Sequence, residues 1–271
     1  MHNLVVVVLD SLRFDAWTAA RPRTLARLGE VERRWSYASW TAPSHYNLLM
    51  GLMPHTSPSH VYASDHYRED FERYAQRLGV DSFEFRNVLP SLNLPTYLRD
   101  TLGYRTGARV SMPVLNPATP MSVGFDDYQL MSSHNDFPAM LESIELGRDQ
   151  PHFWLLNVGE THYPYATPYE DPSTWPRVSG VHGVLKRMGD DGEGEPFLDA
   201  AQLAELQQRQ IDALTFVDEA IGQLFDLAPP GTWVVVTSDH GELFGEEGYF
   251  GHGPINHPKV LEVPFVEGQI R

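Results

Sequence analysis

Three short runs of the chain are almost wholly apolar: Leu4-Val5-Val6-Val7-Val8-Leu9, Phe153–Val158 (broken only by Asn157) and Trp233–Thr237 (ending in a threonine). Runs of this length, rich in valine and bounded by polar or turn residues, read as strands buried on both faces. The first strand is expected over Asn3–Leu9. Tyr104–Val110 and Val263–Val266 are further strand candidates. Elsewhere the apolar spacing changes to three and four. Pro22–Arg33 carries Leu25, Leu28 and Val31 at spacing three and is expected to be helical. Pro43–Met53 is expected to be a helix with Pro43 near its first turn, where a missing N–H costs little. Leu94–Leu102 reads as a helix stopped by Gly103. Ala200–Leu227 is the strongest helical pattern, with Leu203, Leu206, Ile211, Leu214 and Val217 on one face. Strands alternating with helices predict an α/β fold, a mostly parallel central sheet flanked by helices, in one domain spanning 1–271.

In such sheets ligands bind beyond the carboxyl ends of the strands. Asp10, Glu160 and Asp239 all follow predicted strands there, and His240 follows Asp239. Thr41-Ala42-Pro43-Ser44 opens a predicted helix. Two carboxylates, an imidazole and a hydroxyl meeting at one sheet edge can hold a divalent cation and activate a nucleophile. Asp10, Thr41, Asp239 and His240 are therefore the candidate metal ligands. Hard oxygen donors plus one imidazole suit Mn²⁺, Zn²⁺, Mg²⁺ or Ca²⁺, and the donor set does not choose among them. Residues 54–70 are turn-rich and expected to form a loop near the site. Pro164–Glu195 lacks periodicity and is expected to be a substrate-side lid or a disordered segment.

The net charge of −16 in 271 residues argues against nucleic acid as a partner, since no basic stripe could follow a phosphate backbone. A cation site could still attract a small anionic ester locally. With no cysteine, thiolate metal sites, disulfides and cysteine nucleophiles are excluded. Leu4–Leu9 is too short for a signal h-region and follows no basic segment, and no run approaches a membrane span. A soluble cytoplasmic protein is expected.

Taken in order, the motifs resemble the alkaline phosphatase superfamily, and within it the sulfatase-like branch. Val5 to Asp15 is similar to the family's first strand and metal aspartate. Thr24 to Ser44 resembles the helix leading to its nucleophile motif, Cys/Ser/Thr-x-Pro-Ser. Gly51-Leu52-Met53-Pro54-His55 and Pro95 to Arg109 resemble the segments that follow. Asn157 to Tyr165 resembles the His-x-Pro-Tyr segment, Asp218 lies in a helix like the one before the last metal strand, and Thr237 to Gly253 resembles Ser-Asp-His-Gly-Glu … Gly-x-Gly. Three positions depart from typical sulfatases. Ser11 replaces a second acid, His45 an arginine, and His252 a lysine. The nucleophile position is Thr41, which cannot be oxidised to the formylglycine aldehyde of sulfatases. It resembles instead the superfamily's phosphodiesterases and phosphoglycerol transferases.

The resemblance implies a metal-dependent hydrolase or transferase of phosphate or phosphonate esters, acting through a phospho-Thr41 intermediate. His162 and His252 would face the substrate anion or the leaving group, with catalytic and binding roles, and His45 would bind the substrate. One divalent cation is favoured. A second would need Glu160 with His162, His252 or His257, and their spacing does not match that of two-metal members. Arg13 and Asp15 read as a structural pair, and His60, His66, His134 and His182 carry no argument. A sulfuric ester hydrolase is the alternative within enzymes. A catalytically degenerate anion- or partner-binding protein is the alternative outside them. Family members commonly continue into a small antiparallel subdomain, of which only Asn256 to Arg271 would remain here. An open site, or one completed by a homo-oligomer, is expected, with residues 164–198 setting specificity.

Overall fold

The computed structural model describes residues 1–36, 38–51, 72–82, 88–90, 92–177, 198–253 and 255–271, together with the backbone of 186–187. The expected loop at 54–70, the residues His55, His60, His66 and His182, and most of the expected specificity segment lie outside the described residues.

The apolar runs lie side by side as strands. β1 (Leu4–Leu9) pairs in parallel with β5 (His152–Val158) on one side and β7 (Trp233–Ser238) on the other. The seven-stranded sheet is completed by β2 (Glu32–Trp35), β3 (Arg105–Val110), β4 (Asp127–Leu130) and β10 (Glu262–Gln269), in the order β2-β10-β7-β1-β5-β3-β4. Only β10 runs antiparallel to its neighbours. Both faces of the sheet are covered, as continuous apolar strands require. Val5, Val7 and Leu9 face a core built with α1 (Phe14–Ala20), α5 (Phe137–Glu142), α6 (Ala200–Ala220) and α7 (Gly222–Leu227). Val8 faces the opposite core, with α2 (Thr41–Met50), α3 (described at 72–78) and α4 (Leu94–Leu102). A three-stranded sheet, β6 (Lys186–Arg187), β9 (Tyr249–Gly251) and β8 (Leu243–Phe244), lies beyond the strand ends. Phe244 and Phe250 from it join Tyr165 and Leu206 in a small separate cluster.

Local signals explain most boundaries. α4 ends where Gly103 takes the left-handed conformation at φ 71° and donates to Arg99 O. α6 opens on a reciprocal cap: Asp199 Oδ1 accepts from Gln202 N, and Gln202 Oε1 accepts from Asp199 N. α2 starts two residues before Pro43 and stops at Gly51 (φ 64°), so the expected helix over Pro43–Met53 is shifted toward the N-terminus.

The expected helix over Pro22–Arg33 does not form. One 3₁₀ turn (Leu25–Arg27) is followed by strand β2, which pairs with β10. The competing interaction is the pairing of residues 32–35 with β10. The carboxylate of Asp218 on α6 accepts from the backbone N–H groups of Arg23 (2.8 Å), Thr24 (3.1 Å) and Leu25 (2.8 Å), which anchors the start of the short turn. Leu25 is still fully buried, so its hydrophobicity was real but its period was misleading. The expected helix Ala200–Leu227 is split at Ile221 into α6 and α7. Replacing Asp218 with Ala removes a charged acceptor from three N–H groups and should destabilise the fold by about 3 kcal/mol in urea unfolding.

Candidate active site

β1, β5 and β7 end level with one another, with Leu9 beside Val158 and beside Ser238. The next residues therefore emerge together. Asp10, Asp239 and His240 each offer a ligand atom within 4.8 Å of the others, and all three are buried. Thr41, the first residue of α2, completes the group with Oγ1 3.2 Å from His240 Nε2. Ser11 adopts φ 61°, and this turn lets its N–H donate to Asp239 Oδ1 (3.1 Å) while Leu12 N donates to Ser238 Oγ (3.0 Å). Gly241 is needed where it stands, because a Cβ there would lie 2.2 Å from Lys259 O.

Several contacts orient these donors. His240 Nδ1 sits 2.9 Å from Gly241 O, so Nδ1 carries the proton and Nε2 presents its lone pair to Thr41, Asp239 Oδ2 (3.3 Å) and Asp10 Oδ1 (3.9 Å). Asn157 accepts from Ser111 N and Met112 N through Oδ1, which turns Nδ2 toward Asp10 Oδ2 at 2.9 Å. The backbone carbonyl of Asp239 accepts from Ser36 and Ser44 hydroxyls, tying β7's end to α2.

The electrostatics fit a cation. Burial and the neighbouring Asp10 push the Asp239 carboxyl well above its usual range. Burial opposes the Asp10 charge too, but His162, His240 and the Asn157 amide outweigh it and hold that carboxyl below its usual value. Burial and His252 press His240 down to about 3. Among the described residues no lysine or arginine pairs with these two buried carboxylates, and Asp239 Oδ2 accepts no hydrogen bond. A divalent cation would resolve both deficits.

The other expected site residues are also near. The His252 ring lies tilted against His240 with centroids 4.2 Å apart, and His162 meets His252 edge-on at 5.3 Å. His45 comes to the cluster from behind. It has no solvent exposure, its Nδ1 donates to Thr41 O (2.9 Å), and Nδ1 lies 3.7 Å from Asp239 Oδ2. As placed, Nδ1 supports Thr41, while Nε2 is buried without a hydrogen-bond partner. His257 is turned to Lys259 N, and the described residues contain no second cluster of metal-type donors. Arg13 and Asp15 form a paired network with Glu246 and Lys259, in keeping with a structural role.

Sequence reasoning gave no role to Asn157, Glu242 and Tyr165. Asn157 ends an apolar strand, a visible signal. Glu242 stands two residues after His240, also visible. Tyr165, whose hydroxyl donates to Glu242 Oε1 at 2.5 Å, depends on a loop conformation that leaves no periodic trace.

Glu160 accepts from Phe137 N through Oε1 (2.6 Å) and leaves Oε2 buried without a partner. Burial pushes its carboxyl up to about 7 against two backbone N–H donors. A carboxyl raised in the folded state favours folding while protonated, and that contribution is lost as pH rises from the unfolded value toward 7. Glu160→Gln should leave Tm nearly unchanged at pH 4.5 but raise it at pH 8. The gain should be on the order of 2 kcal/mol, readable as a pH series of thermal melts.

This arrangement can be set beside known proteins. The sulfatase family matches residues 2–266 of the chain. A search of curated proteins by sequence gave no significant match. Among solved structures, the C-terminal periplasmic domain of phosphoethanolamine transferase EptC from Campylobacter jejuni superposes with TM-score 0.57 at 16% identity, covering 99% of this chain and 79% of that one. The corresponding Escherichia coli EptC domain, in complex with Zn, gives 0.59 at 14% identity over 100% and 73%. The phosphonate monoester hydrolase of Agrobacterium radiobacter gives 0.54 at 16% identity over 98% and 68%. With a mostly parallel sheet flanked by helices, the fold is that of the alkaline phosphatase superfamily, and the chain belongs to the sulfatase family.

Proposed function

We propose that the protein is a metal-dependent hydrolase or transferase of phosphate or phosphonate esters, with Thr41 as nucleophile. The observation that carries this reading is the position of Thr41 Oγ1. It sits on the first residue of α2, 3.2 Å from His240 Nε2 and beside the paired carboxylates of Asp10 and Asp239. Threonine favours phosphoryl over sulfuryl chemistry, because its oxidation gives a ketone and not the aldehyde of sulfatases. The named reactions of the similar folds, phosphoethanolamine transfer and phosphonate monoester hydrolysis, support the same breadth.

Asp10, Asp239, His240 and Thr41 would hold one divalent cation, Mn²⁺, Zn²⁺, Mg²⁺ or Ca²⁺. Bound there, it lowers the pKa of the Thr41 hydroxyl and offsets phosphoryl charge. The chain supplies the rest. The N-terminal end of α2, which has no capping side chain, faces the transferred anion with its positive dipole. Asn157 and the Ser11 N–H hold the two carboxylates in place. Attack by Thr41 makes a phosphothreonine ester and expels an alkoxide. In this reading His252 and His162, gathered beside His240, would meet that oxygen. Water or an acceptor alcohol then takes the phosphoryl group and restores the hydroxyl.

Two outcomes test this. Titrating metal into the purified chain should raise its stability, by about 2.7 kcal/mol at a concentration ~100 times Kd, and Asp239→Asn should abolish the rise. Aryl phosphate monoesters, phosphodiesters, phosphonate esters and sulfate esters should be screened with each metal. Thr41→Ala should lose on the order of 10⁴-fold or more in kcat for the preferred phosphoester at an unchanged Tm. Retained turnover in that variant, or preference for the sulfate ester, would overturn the assignment.

A further inference from the structure

One backbone oxygen holds two points of the segment that carries Thr41. Asp239 O accepts from Ser44 Oγ at 2.5 Å and from Ser36 Oγ as well. The two hydroxyls lie 3.2 Å apart, although the serines stand eight positions apart in sequence. Ser36 follows the last residue of β2, and Ser44 lies in the first turn of α2. The chain between them, which starts α2 at Thr41, is therefore closed on a single carbonyl. Both serines are buried. Ser36 is anchored in turn by its own N–H, which donates to Leu261 O at 2.7 Å.

Thr41 and Ser44 are three residues apart on α2 and so share a face of the helix. Thr41 Oγ1 reaches His240 Nε2 while Ser44 Oγ reaches Asp239 O. Within one turn, two hydroxyls address two consecutive residues beyond β7. Sliding or rolling α2 would break both contacts together. The apolar contacts of Tyr46, Leu49 and Met50 hold the rest of the helix, and they are non-directional. We infer that Ser44 is a positioning residue: with Ser36 it clasps Asp239 O and fixes Thr41 Oγ1 against the Asp239–His240 step. Its catalytic consequence rests on the function proposed above. Ser36 still donates to the carbonyl when the Ser44 hydroxyl is removed, so no buried acceptor is left bare and the effect is one of placement. Misplacing a reacting group by about 1 Å can cost on the order of 100-fold in rate.

The test is a double-mutant cycle between Ser44 and Thr41 in the full chain, read by calorimetric titration with Zn²⁺ or Mn²⁺ alone, whichever the wild type binds more tightly. Thr41→Ala removes one proposed ligand, and Ser44→Ala should weaken binding about 10-fold by releasing that same ligand. In the Thr41→Ala background, Ser44→Ala should change Kd by less than about 2-fold, because the residue it acts through is gone. Kinetically, Ser44→Ala should lower kcat for the preferred phosphoester about 10- to 100-fold with KM little altered. Its Tm should fall by only a few degrees. Ser44→Thr keeps the hydroxyl and should recover most of both losses, since Ser44 borders a cavity, lined also by Leu48 and Thr237, that can take the added methyl. Ser36→Ala frees the other end of the clasp and should give a smaller loss in the same sense.

Cation affinity and kcat that stay within about 3-fold of wild type in Ser44→Ala overturn the inference. So does a loss that persists at full size in the Thr41→Ala chain, which would put the action of Ser44 on Asp239 alone. A Ser44→Thr variant no better than Ser44→Ala overturns it as well. If the wild-type chain binds neither cation and turns over no ester, the function proposed above fails. Amide hydrogen exchange across residues 41–47 then decides the clasp: faster exchange in Ser44→Ala upholds it, and unchanged exchange overturns it.

Discussion

Asp10 and Asp239 are carboxylates from adjacent parallel strands, brought together in a dry interior where each raises the cost of charging the other. The effective penalty for burying a single ion is roughly several kcal/mol, so a pair survives only if its lone pairs are matched by donors and its charge by a cation. The surrounding residues supply the donors. Asn157 and Ser11 address individual carboxylate oxygens, while Ser36 and Ser44 secure the Asp239 backbone. The neutral His240, kept with its lone pair inward by Gly241 O, adds a ligand without adding charge. The balance of the site is thus that of a receptor short of positive charge.

The same logic orders the outer ring of polar residues. Glu242 and Tyr165 share one proton-rich contact, and Arg13 stands behind them, grasping Asp15 and Glu246 and donating to the Glu242 carbonyl. Lys259 closes the group on Asp15 at 2.6 Å. This lattice joins the turn after β1 to the β8–β9 hairpin and to the segment before β10. The hairpin that carries Glu242 and His252 is therefore held from outside as well as from within the site.

The sequence made the centre of this molecule legible and left its periphery obscure. Val5–Leu9 and Val234–Thr237 are apolar at every position because they are covered on both faces, and such strands announce themselves. The residues that follow them could be placed at one edge for that reason alone. β2 and β4 could not be seen, because Glu32, Arg33, Arg34 and Trp35 are exposed on an edge strand and carry no buried alternation. Pro22–Arg33 misled because spacing three is shared by a helix and by a turn that buries one leucine, and the deciding partner, β10, is remote. His45 could be placed near Thr41 from its spacing, yet its orientation into the helix backbone could not. The Glu242–His252 contact depends on how one hairpin folds back, which no local pattern encodes.

β1 occupies the centre of the sheet, yet both of its neighbours come from far along the chain. The contact between Ser11 and Asp239 spans 228 residues, and that between Leu25 and Asp218 spans 193. Closing such loops costs entropy before any packing offsets it, so topologies of this kind fold slowly. During synthesis the first strand and its aspartate emerge with no partner and must wait for β5, and then for β7, to be made. The cluster of Asp10, Asp239 and His240 is consequently among the last features of the molecule to form. A nascent or truncated chain carries its most hydrophobic strand unpaired, which makes it a natural client for chaperones during that interval.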